Sequence, residues 1–447
     1  MATITNGVGL NSSTGLGQGI DVQALVTATL TGDQANITSL QTTQSILSAQ
    51  TTALSQITND LANLQSAAFA LNDPLGSLNS FTTTSSNSSV LSATASTAAV
   101  AGVHTISVAN LATTSSYYTN AVATSRTVLA AGSFQIQVGS NSPATITVGS
   151  GTNTLDSLVA SINNQNIGVR ASVINDANGA RLALVSESTG APGDITVSNN
   201  ITSLSFTKAV TGTNASLQVD GVPISSTTNT VSGVINGVTL NLTAATTGSP
   251  VTLSVAPDTS KASDAINQFV SAYNTAIKDI NAQFAVKSDG TGGGPLEADG
   301  SLREAQFSLL TAVAFSITGN NGVVNLASIG VNLNNDGTLS VDNGTLASAL
   351  SANNASVQNF LQSTSNGFAK NLRSAISSLT DTGVGTLALD SKSIAQTSQD
   401  LSQQITDLQA ALATKRQSLL AVYSKVNATL EQLPLLQAQL SQQLGSL

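Results

Sequence analysis

Cysteine and tryptophan are absent from the 447-residue chain, and His104 is its only histidine. Without cysteine the chain cannot form a disulfide framework, a thiolate metal site or a cysteine nucleophile. Only 8% of the residues are charged and 3% are aromatic, whereas about 25% of an average globular protein is charged. The net charge is −9, and the first basic residue is Arg126. Nucleic-acid binding needs clustered lysine and arginine, so the sequence argues against it.

Signals for a membrane span and for a cleaved export signal are also missing. The first residues lack the basic and apolar regions of a secretory signal peptide, and no run approaches the roughly 18 apolar residues of a spanning helix. Apolar residues still make up 40% of the chain, which predicts packed domains. Serine and threonine supply about a quarter of it, as in exported surface proteins. We expect the protein either to stay inside the cell or to leave without a cleaved signal.

A helical repeat runs through residues 30–71. Its apolar residues follow the 3-then-4 spacing of a coiled-coil seam or of a long packed helix. Leucines seven residues apart hold one seam position, namely Leu40, Leu47, Leu54 and Leu61. Asp73 and Pro74 should end this helix, because the residue before a proline disfavours the helical conformation.

A stronger repeat of the same kind occupies residues 401–447. Its seam positions include Leu401, Ile405, Leu408, Leu412, Leu433 and Leu440. Pro434 interrupts the repeat, and an interior proline costs a helix roughly 3 kcal/mol, so we expect a kink or a break near Leu433. Two interpretations stay open: the stripe packs on the body of its own chain, or other subunits complete it. The flanking positions are mostly uncharged, so salt bridges cannot fix a partner strongly.

Between the two repeats, residues 81–255 alternate polar with apolar side chains, and Gly-, Asn- and Ser-rich turns separate the runs. This period of two predicts antiparallel strands. Helical sequence then resumes, with Ser263 as a predicted N-cap and Ser301 with Glu304 as a predicted capping box. The fold class expected is α+β, a discontinuous helical domain with long terminal coiled-coil legs that carries inserted antiparallel β-rich head domains.

The predicted division of the chain has four parts. Residues 1–80 form the N-terminal leg and first helices, and residues 81–258 form the inserted β-rich head of two modules, the inner one at about 130–210. Residues 259–390 form a helical domain with a β-hairpin, and residues 391–447 form the C-terminal coiled-coil leg.

No stretch of the sequence predicts a catalytic, metal or cofactor site, so we expect neither an enzyme nor a bound cofactor. His104 sits among alternating residues, as a histidine at a strand surface does. Gly15-Leu-Gly-Gln-Gly19 is half of a phosphate loop but follows no strand and lacks the last glycine. Asn332, Asn334 and Asp336 imitate the start of a calcium loop, but Asn343 stands where the bidentate Glu belongs, which favours a β-turn.

Several stretches, in order along the chain, resemble the bacterial flagellar filament cap protein family (flagellar hook-associated protein 2). The matching motifs are Gly15-Leu-Gly-Gln-Gly-Ile-Asp21, Asp220-Gly221 with Ile235-Asn-Gly-Val-Thr-Leu240, Asn267-Gln-Phe-Val-Ser-Ala-Tyr-Asn274, Pro295-Leu-Glu-Ala-Asp-Gly-Ser-Leu-Arg303, and Ile329-Gly-Val331 with Asp336-Gly-Thr-Leu339. The first helix departs from the family, which usually has Glu and Pro where this chain has Asp33 and Ile37. The tail of this chain is also less charged than is usual in the family.

The resemblance implies a structural protein at the distal tip of the flagellar filament. It implies a homo-oligomeric ring, a pentamer, that retains exported flagellin and promotes its folding and polymerisation. The implied partners are other copies of the chain, flagellin, the hook-filament junction proteins and an export chaperone. The implied location is extracellular, on the bacterial flagellum, after export by the flagellar type III apparatus. On this resemblance the ten seam residues named above contact flagellin or other subunits.

Two other classes of protein fit parts of the pattern. A flagellin-like or hook-junction filament subunit also has terminal helices around β domains and would polymerise alone. A surface adhesin would bind a glycan or a host surface through Ser/Thr-rich strands, with the heptad tail as a trimeric stalk. Cell adhesion and capping do not exclude each other.

Overall fold

The computed structural model describes residues 20–286 and 292–444. It has helices at both ends of the chain and antiparallel sheets between them, which confirms the predicted α+β class. Two compact units divide the chain. A helical unit takes residues up to Asn72, Ile266–Leu346 and residues from Asn359 onwards, and a β-rich unit takes Asp73–Ala265 and Ala347–Gln358.

Two helices of more than 50 residues dominate the helical unit, and the others are much shorter. In chain order the helices are α1 (Val22–Asn72), α2 (Leu155–Asn164), α3 (Thr259–Phe284), α4 (Gly300–Val313), α5 (Asn343–Ala352), α6 (Asn354–Gln362), α7 (Phe368–Thr380) and α8 (Thr386–Leu444).

The strands are short, and nearly all of them belong to the β-rich unit. In chain order they are β1 (Phe81–Ser85), β2 (Leu91–Ala95), β3 (Gly102–Asn110), β4 (Thr114–Thr119), β5 (Gly132–Val138), β6 (Ala144–Val148), β7 (Val169–Asp176), β8 (Gly179–Thr189), β9 (Ile195–Ser198), β10 (Phe206–Val210), β11 (Ala215–Val219), β12 (Val222–Ser226), β13 (Thr230–Ile235), β14 (Val238–Leu242), β15 (Val251–Pro257), β16 (Val331–Leu333) and β17 (Leu339–Val341).

The first β module is a two-sheet sandwich. One sheet has the strand order β1-β15-β3-β11-β12 and the other β13-β14-β2, with every pair antiparallel. Apolar side chains from both sheets, such as Ile106, Leu240 and Leu253, share one core. Asp220 and Gly221 form the two-residue turn between β11 and β12, both with positive φ (51° and 82°), as a hairpin turn of the primed type requires.

The second β module has its own core. A four-stranded sheet (β10-β4-β8-β7), a three-stranded sheet (β6-β5-β9) and α2 surround it. Phe134 and Leu158 are among its fully buried side chains. Thr154 begins α2 with a capping box, because its hydroxyl accepts from the Ser157 N–H while the Ser157 hydroxyl accepts from the Thr154 N–H. Strand β4 pairs with β8 and β10, so this module extends from Thr114 to Val210.

The core of the helical unit contains a cluster of aromatic rings. Phe269 and Tyr273 on α3 lie 6.4 Å apart between centroids, and Phe368 on α7 meets Phe269 edge to face at 5.4 Å. Phe360 stacks on Phe368 at 5.7 Å. All four rings are fully buried, and such pairs add about 0.5–1.5 kcal/mol beyond the burial of their area.

The hydroxyl of Tyr273 is buried and has no hydrogen-bond partner among the described residues. Burial raises the pKa of this phenol far above its usual range. An unpaired buried hydroxyl costs about 1–3 kcal/mol, so Tyr273→Phe should leave the unfolding free energy unchanged or raise it by about 1 kcal/mol. Tyr273→Ala, which opens a cavity, should lower it by about 3–5 kcal/mol. Denaturant unfolding followed by circular dichroism measures both, and a clear loss in the Phe variant would mean that the hydroxyl has a partner.

Two local predictions, both of N-caps, are wrong. Helix α3 begins at Thr259, where the Asp258 carboxylate accepts from the Lys261 N–H at 3.1 Å, so Ser263 is not its N-cap. Helix α4 begins at Gly300 with Asp299 as N-cap, so Ser301 does not cap it. Helix α8 continues through Pro434, so there is no break near Leu433, and the alternative of a kink there stays a prediction. On an exposed helix, water can satisfy the one carbonyl that loses its N–H partner to the proline.

Candidate docking site on the terminal helices

Helices α1 and α8 pack side by side in antiparallel orientation within the helical unit. The Ile20 N–H donates to Asn427 Oδ1 at 2.7 Å, and Lys415 Nζ lies 2.7 Å from Asp33 Oδ2. Both contacts pair the start of α1 with the later part of α8. An exposed ion pair stabilises a fold by only about 0–1 kcal/mol. The Asp33–Lys415 pair therefore helps to fix the register of α1 against α8 and adds little to the stability of their packing.

The apolar seam of α1 is the part of the pair that is most completely buried. Val26, Leu30 and Ile37 are buried along its first half, and Leu54 and Leu61 are buried along its second half. Leu40 and Leu47 are half-buried. Burying a leucine or isoleucine side chain contributes about 1.5–3 kcal/mol, so this seam holds α1 in the helical unit.

The predicted seam of α8 changes character along the helix. Ile405 is buried, and Leu401, Leu408 and Leu412 are half-buried. Leu433 and Leu440 have 43% and 61% of their surface exposed. Among the described residues, the first four of these side chains are therefore packed within the helical unit, and the last two are exposed.

The part of α8 after Asn427, residues 428–444, is called the α8 tail. Its exposed leucines are Leu433, Leu436, Leu440 and Leu444, which share one face at about 100° per residue, and Leu435 on the opposite face. Helix α1 starts at Val22, just after Ile20, which contacts Asn427, so the described α1 ends its pairing with α8 where the tail begins. At 1.5 Å per residue the tail extends about 25 Å. An apolar stripe of this length on an exposed helix is typical of a protein–protein contact.

Charge is nearly absent from the tail. Glu431 is its only charged residue in the sequence, and the Asn427 side-chain amide donates to the Glu431 carboxylate at 2.9 Å. The surface of the tail therefore consists almost entirely of uncharged side chains. Such a surface binds through burial of apolar area, and its binding should depend only weakly on salt.

Two grooves lie between α1 and α8, closer to the middle of the pair. The larger has a volume of about 730 Å³ and is lined by Leu30, Gln34, Leu412 and Arg416, among others. The smaller, of about 170 Å³, contains the Asp33–Lys415 ion pair. The larger groove has no carboxylate in its lining, and Arg416 is the charged residue that lines it.

The residues considered for chemistry have structural roles. His104 lies on β3, and its Nδ1 is 2.8 Å from Asp220 Oδ2. Asp220 Oδ1 also accepts from the Thr105 N–H at 2.8 Å, and the hydrogen bond from His104 holds the pKa of the Asp220 carboxyl below its usual range. The pair thus fastens the β11–β12 turn to β3.

The calcium-like sequence forms the β16–β17 hairpin. Asp336 Oδ1 accepts from the N–H and the hydroxyl of Thr338, so its carboxylate is engaged within the turn. In the described parts of the chain no three His, Cys, Asp or Glu residues come together as metal ligands. Gly15-Leu-Gly-Gln-Gly19 lies outside the described residues. None of the helices described is long and apolar enough to cross a membrane.

Sequence reasoning missed two features of this unit. Val26 belongs to the buried seam, upstream of the repeat recognised at residues 30–71, and its spacing of four from Leu30 was the available signal. Asp60 is also buried on α1. The sequence gave no signal for this burial, because Asp60 is polar and stands next to the seam position of Leu61.

Comparison with known proteins identifies the family. The model for the N-terminus of flagellar hook-associated protein 2 matches residues 18–115, and the model for its C-terminus matches residues 212–434. The B-type flagellar hook-associated protein 2 of Pseudomonas aeruginosa is 31% identical over 444 residues, covering 92% of this chain and 93% of that protein. The Escherichia coli protein of the same name is 28% identical over 366 residues, covering 76% of this chain and 77% of that protein.

A solved structure supports the same family. The crystal structure of the D1-D2-D3 domains of the Escherichia coli flagellar cap protein FliD superimposes with a TM-score of 0.60 at 29% identity, covering 77% of this chain and 99% of that one. The chain therefore belongs to the flagellar hook-associated protein 2 family, the flagellar filament cap proteins. The adhesin and filament-subunit alternatives are not favoured by these matches.

Proposed function

We propose that this chain forms a homo-oligomeric ring, a pentamer, at the distal end of the growing flagellar filament. There it retains exported flagellin and promotes its folding and polymerisation. Membership of the cap family supports this function. The observation that carries the mechanism is the uncovered leucine stripe of the α8 tail, because a cap has to hold the filament end through a surface that its own fold leaves free.

The mechanism assigns different work to the two units. The β-rich unit acts as a plate over the channel exit, beneath which emerging flagellin is confined while it folds and inserts. The paired terminal helices act as legs that reach into gaps between the last flagellin subunits. In terms of the four predicted segments, residues 1–80 and 391–447 form the legs and residues 81–258 form the plate. Residues 259–390 form the helical domain with the β-hairpin.

Within the legs, the proposed contacts with flagellin or with neighbouring subunits are graded by exposure. Leu433 and Leu440 are the primary contacts, since they are the most exposed of the ten seam residues. Half-buried seam residues contribute what remains of their surface, namely Leu40, Leu47, Leu401, Leu408 and Leu412. The buried Leu54, Leu61 and Ile405 act indirectly, because they keep the legs assembled.

The route to the filament tip is part of the proposal. The chain leaves the cell through the flagellar type III apparatus and works extracellularly, and before export a chaperone covers the α8 tail. At the base of the new filament the ring first rests on the hook-filament junction proteins. The exposed leucines support the chaperone step, because apolar surface of this length favours association in the cytoplasm.

Counting filament ends tests this function. Purified protein is mixed with flagellin filaments, the filaments are pelleted, and bound protein is quantified before and after shearing at constant flagellin mass. Shearing multiplies ends without changing the lateral surface, so bound protein should rise in proportion to the number of ends. Binding that stays constant on shearing would indicate side binding and contradict capping.

A further inference from the structure

Two short connectors join the two modules of the β-rich unit. Residues 111–113 lead from β3 to β4, and residues 211–214 lead from β10 back to β11. Modules that have separate cores and short connectors move relative to each other by default, unless their contacts prevent it. The freedom of the second module therefore depends on what the two connectors and the backbone beside them touch.

The connectors are hydrogen bonded to each other through Thr113. Its N–H donates to the Thr213 carbonyl at 2.9 Å, and its hydroxyl accepts from the Thr213 N–H at 3.1 Å. The same hydroxyl donates to the Thr211 carbonyl at 2.8 Å. Because one residue supplies three hydrogen bonds between the connectors, neither connector can swing without the other.

Each connector is also bound to one of the modules. In the first module, the Asn229 side chain donates to the Ala112 carbonyl at 3.0 Å and accepts from the Ala112 N–H at 2.7 Å, as a neighbouring strand would. In the second module, Asp194 Oδ1 accepts from the Gly212 N–H at 2.8 Å, and Asp194 Oδ2 lies 2.7 Å from Lys208 Nζ. The first connector is thereby fixed to the first module and the second connector to the second.

Two further links run from one module to the other. The Thr189 hydroxyl at the end of β8 donates to the Thr227 carbonyl, between β12 and β13, at 2.7 Å. The Asn214 side chain accepts from the Ala191 N–H of the second module at 2.8 Å and donates to the Ser225 hydroxyl on β12 at 3.1 Å. These links hold the two modules at a second point, outside the pairing of the connectors.

Gly190 lets the modules come this close. Its φ is 84°, and its N–H donates to the Thr113 carbonyl at 3.0 Å. A Cβ at this position would lie 2.6 Å from the Thr227 carbonyl oxygen and 2.9 Å from Asn214 Oδ1. Only a residue without a side chain fits this conformation and this space, so the backbones of the two modules are in direct contact here.

We propose that these contacts form a rigid junction, which makes the two β modules one body although each has its own core. A force on either module is then transmitted to the other without a hinge between them. The rigid junction is a property of the free chain, so it stands or falls separately from the proposed capping function.

Distances between two spin labels, measured by double electron–electron resonance, test the junction in the full chain. The chain has no cysteine, so Ser92→Cys on β2 and Ser172→Cys on β7 create the only labelled positions. Both serines are exposed, one in each module. Labelled chain is diluted with unlabelled chain, so that distances between copies do not contribute. A rigid junction predicts a single narrow distance peak.

Thr189→Val with Asn214→Ala should loosen the junction in this labelled chain. The two substitutions remove both links between the modules and leave the two cores unchanged, so the width of the distance distribution should at least double. Thr196→Val with Asn175→Ala is the matched control, because it makes the same two changes at exposed positions within the second module, and its peak should stay narrow. A broad distribution before these substitutions, or an equally narrow one after Thr189→Val with Asn214→Ala, would overturn the proposal.

Discussion

Leu61→Asp should unfold the helical unit at 25 °C. Leu61 is fully buried in the α1 seam, so the substitution removes a packed side chain, worth about 2–5 kcal/mol, and buries a charge with no partner, which costs several kcal/mol more. Together these terms approach the whole stability of a typical domain, about 5–15 kcal/mol. The expected result is loss of most of the ellipticity at 222 nm.

Asn63→Asp provides the control for this substitution. Asn63 lies two residues away on the same helix and is exposed, so it introduces the same charge without burying it and should change the unfolding free energy by no more than about 0.5 kcal/mol. Full helicity in the Leu61 variant would show that this seam is not closed within the chain.

The double substitution Leu433→Asp with Leu440→Asp should abolish binding to filament tips without weakening the free protein. Both leucines are exposed in the α8 tail, so the free chain loses little buried apolar area. In the docked state each aspartate would be an unpaired charge in an apolar contact, which costs several kcal/mol. The affinity for filament ends should fall by at least about 1,000-fold, since each 1.4 kcal/mol is a factor of ten.

The matched control places two charges on the opposite face of the same tail. Ala438→Asp with Gln442→Asp adds equal charge at exposed positions that point away from the Leu433 and Leu440 face at about 100° per residue. This variant should keep most of its tip binding. Equal loss in both variants would indicate that net charge matters and that the leucine face does not.

Much of the fold was predictable because its elements carry strong periodic signals. The heptad spacing around Leu54 and Leu61 and the period-two runs around Ile106 and Leu240 report local geometry directly. The N-caps were less predictable. Asp258 and Asp299 each precede a serine that also caps well, and the choice depends on where the chain enters the helix, which tertiary packing decides.

The sequence predicted which residues belong to the candidate site, but not which of them are buried and which are exposed. The seam of α8 is one continuous stripe in the sequence, yet Ile405 is buried and Leu440 is 61% exposed. The difference depends on which part of α8 the described α1 packs against, and the sequence does not show that.

Electron microscopy of flagellin filaments mixed with labelled, purified protein tests the capping function most directly. The position of the label on each filament is scored, with the Leu433→Asp, Leu440→Asp variant as the negative control. Capping predicts label confined to one end of each filament, and no label at ends with the variant. Label along the filament sides, or equal end labelling by the variant, would contradict the proposal that the α8 tail docks a cap onto the filament tip.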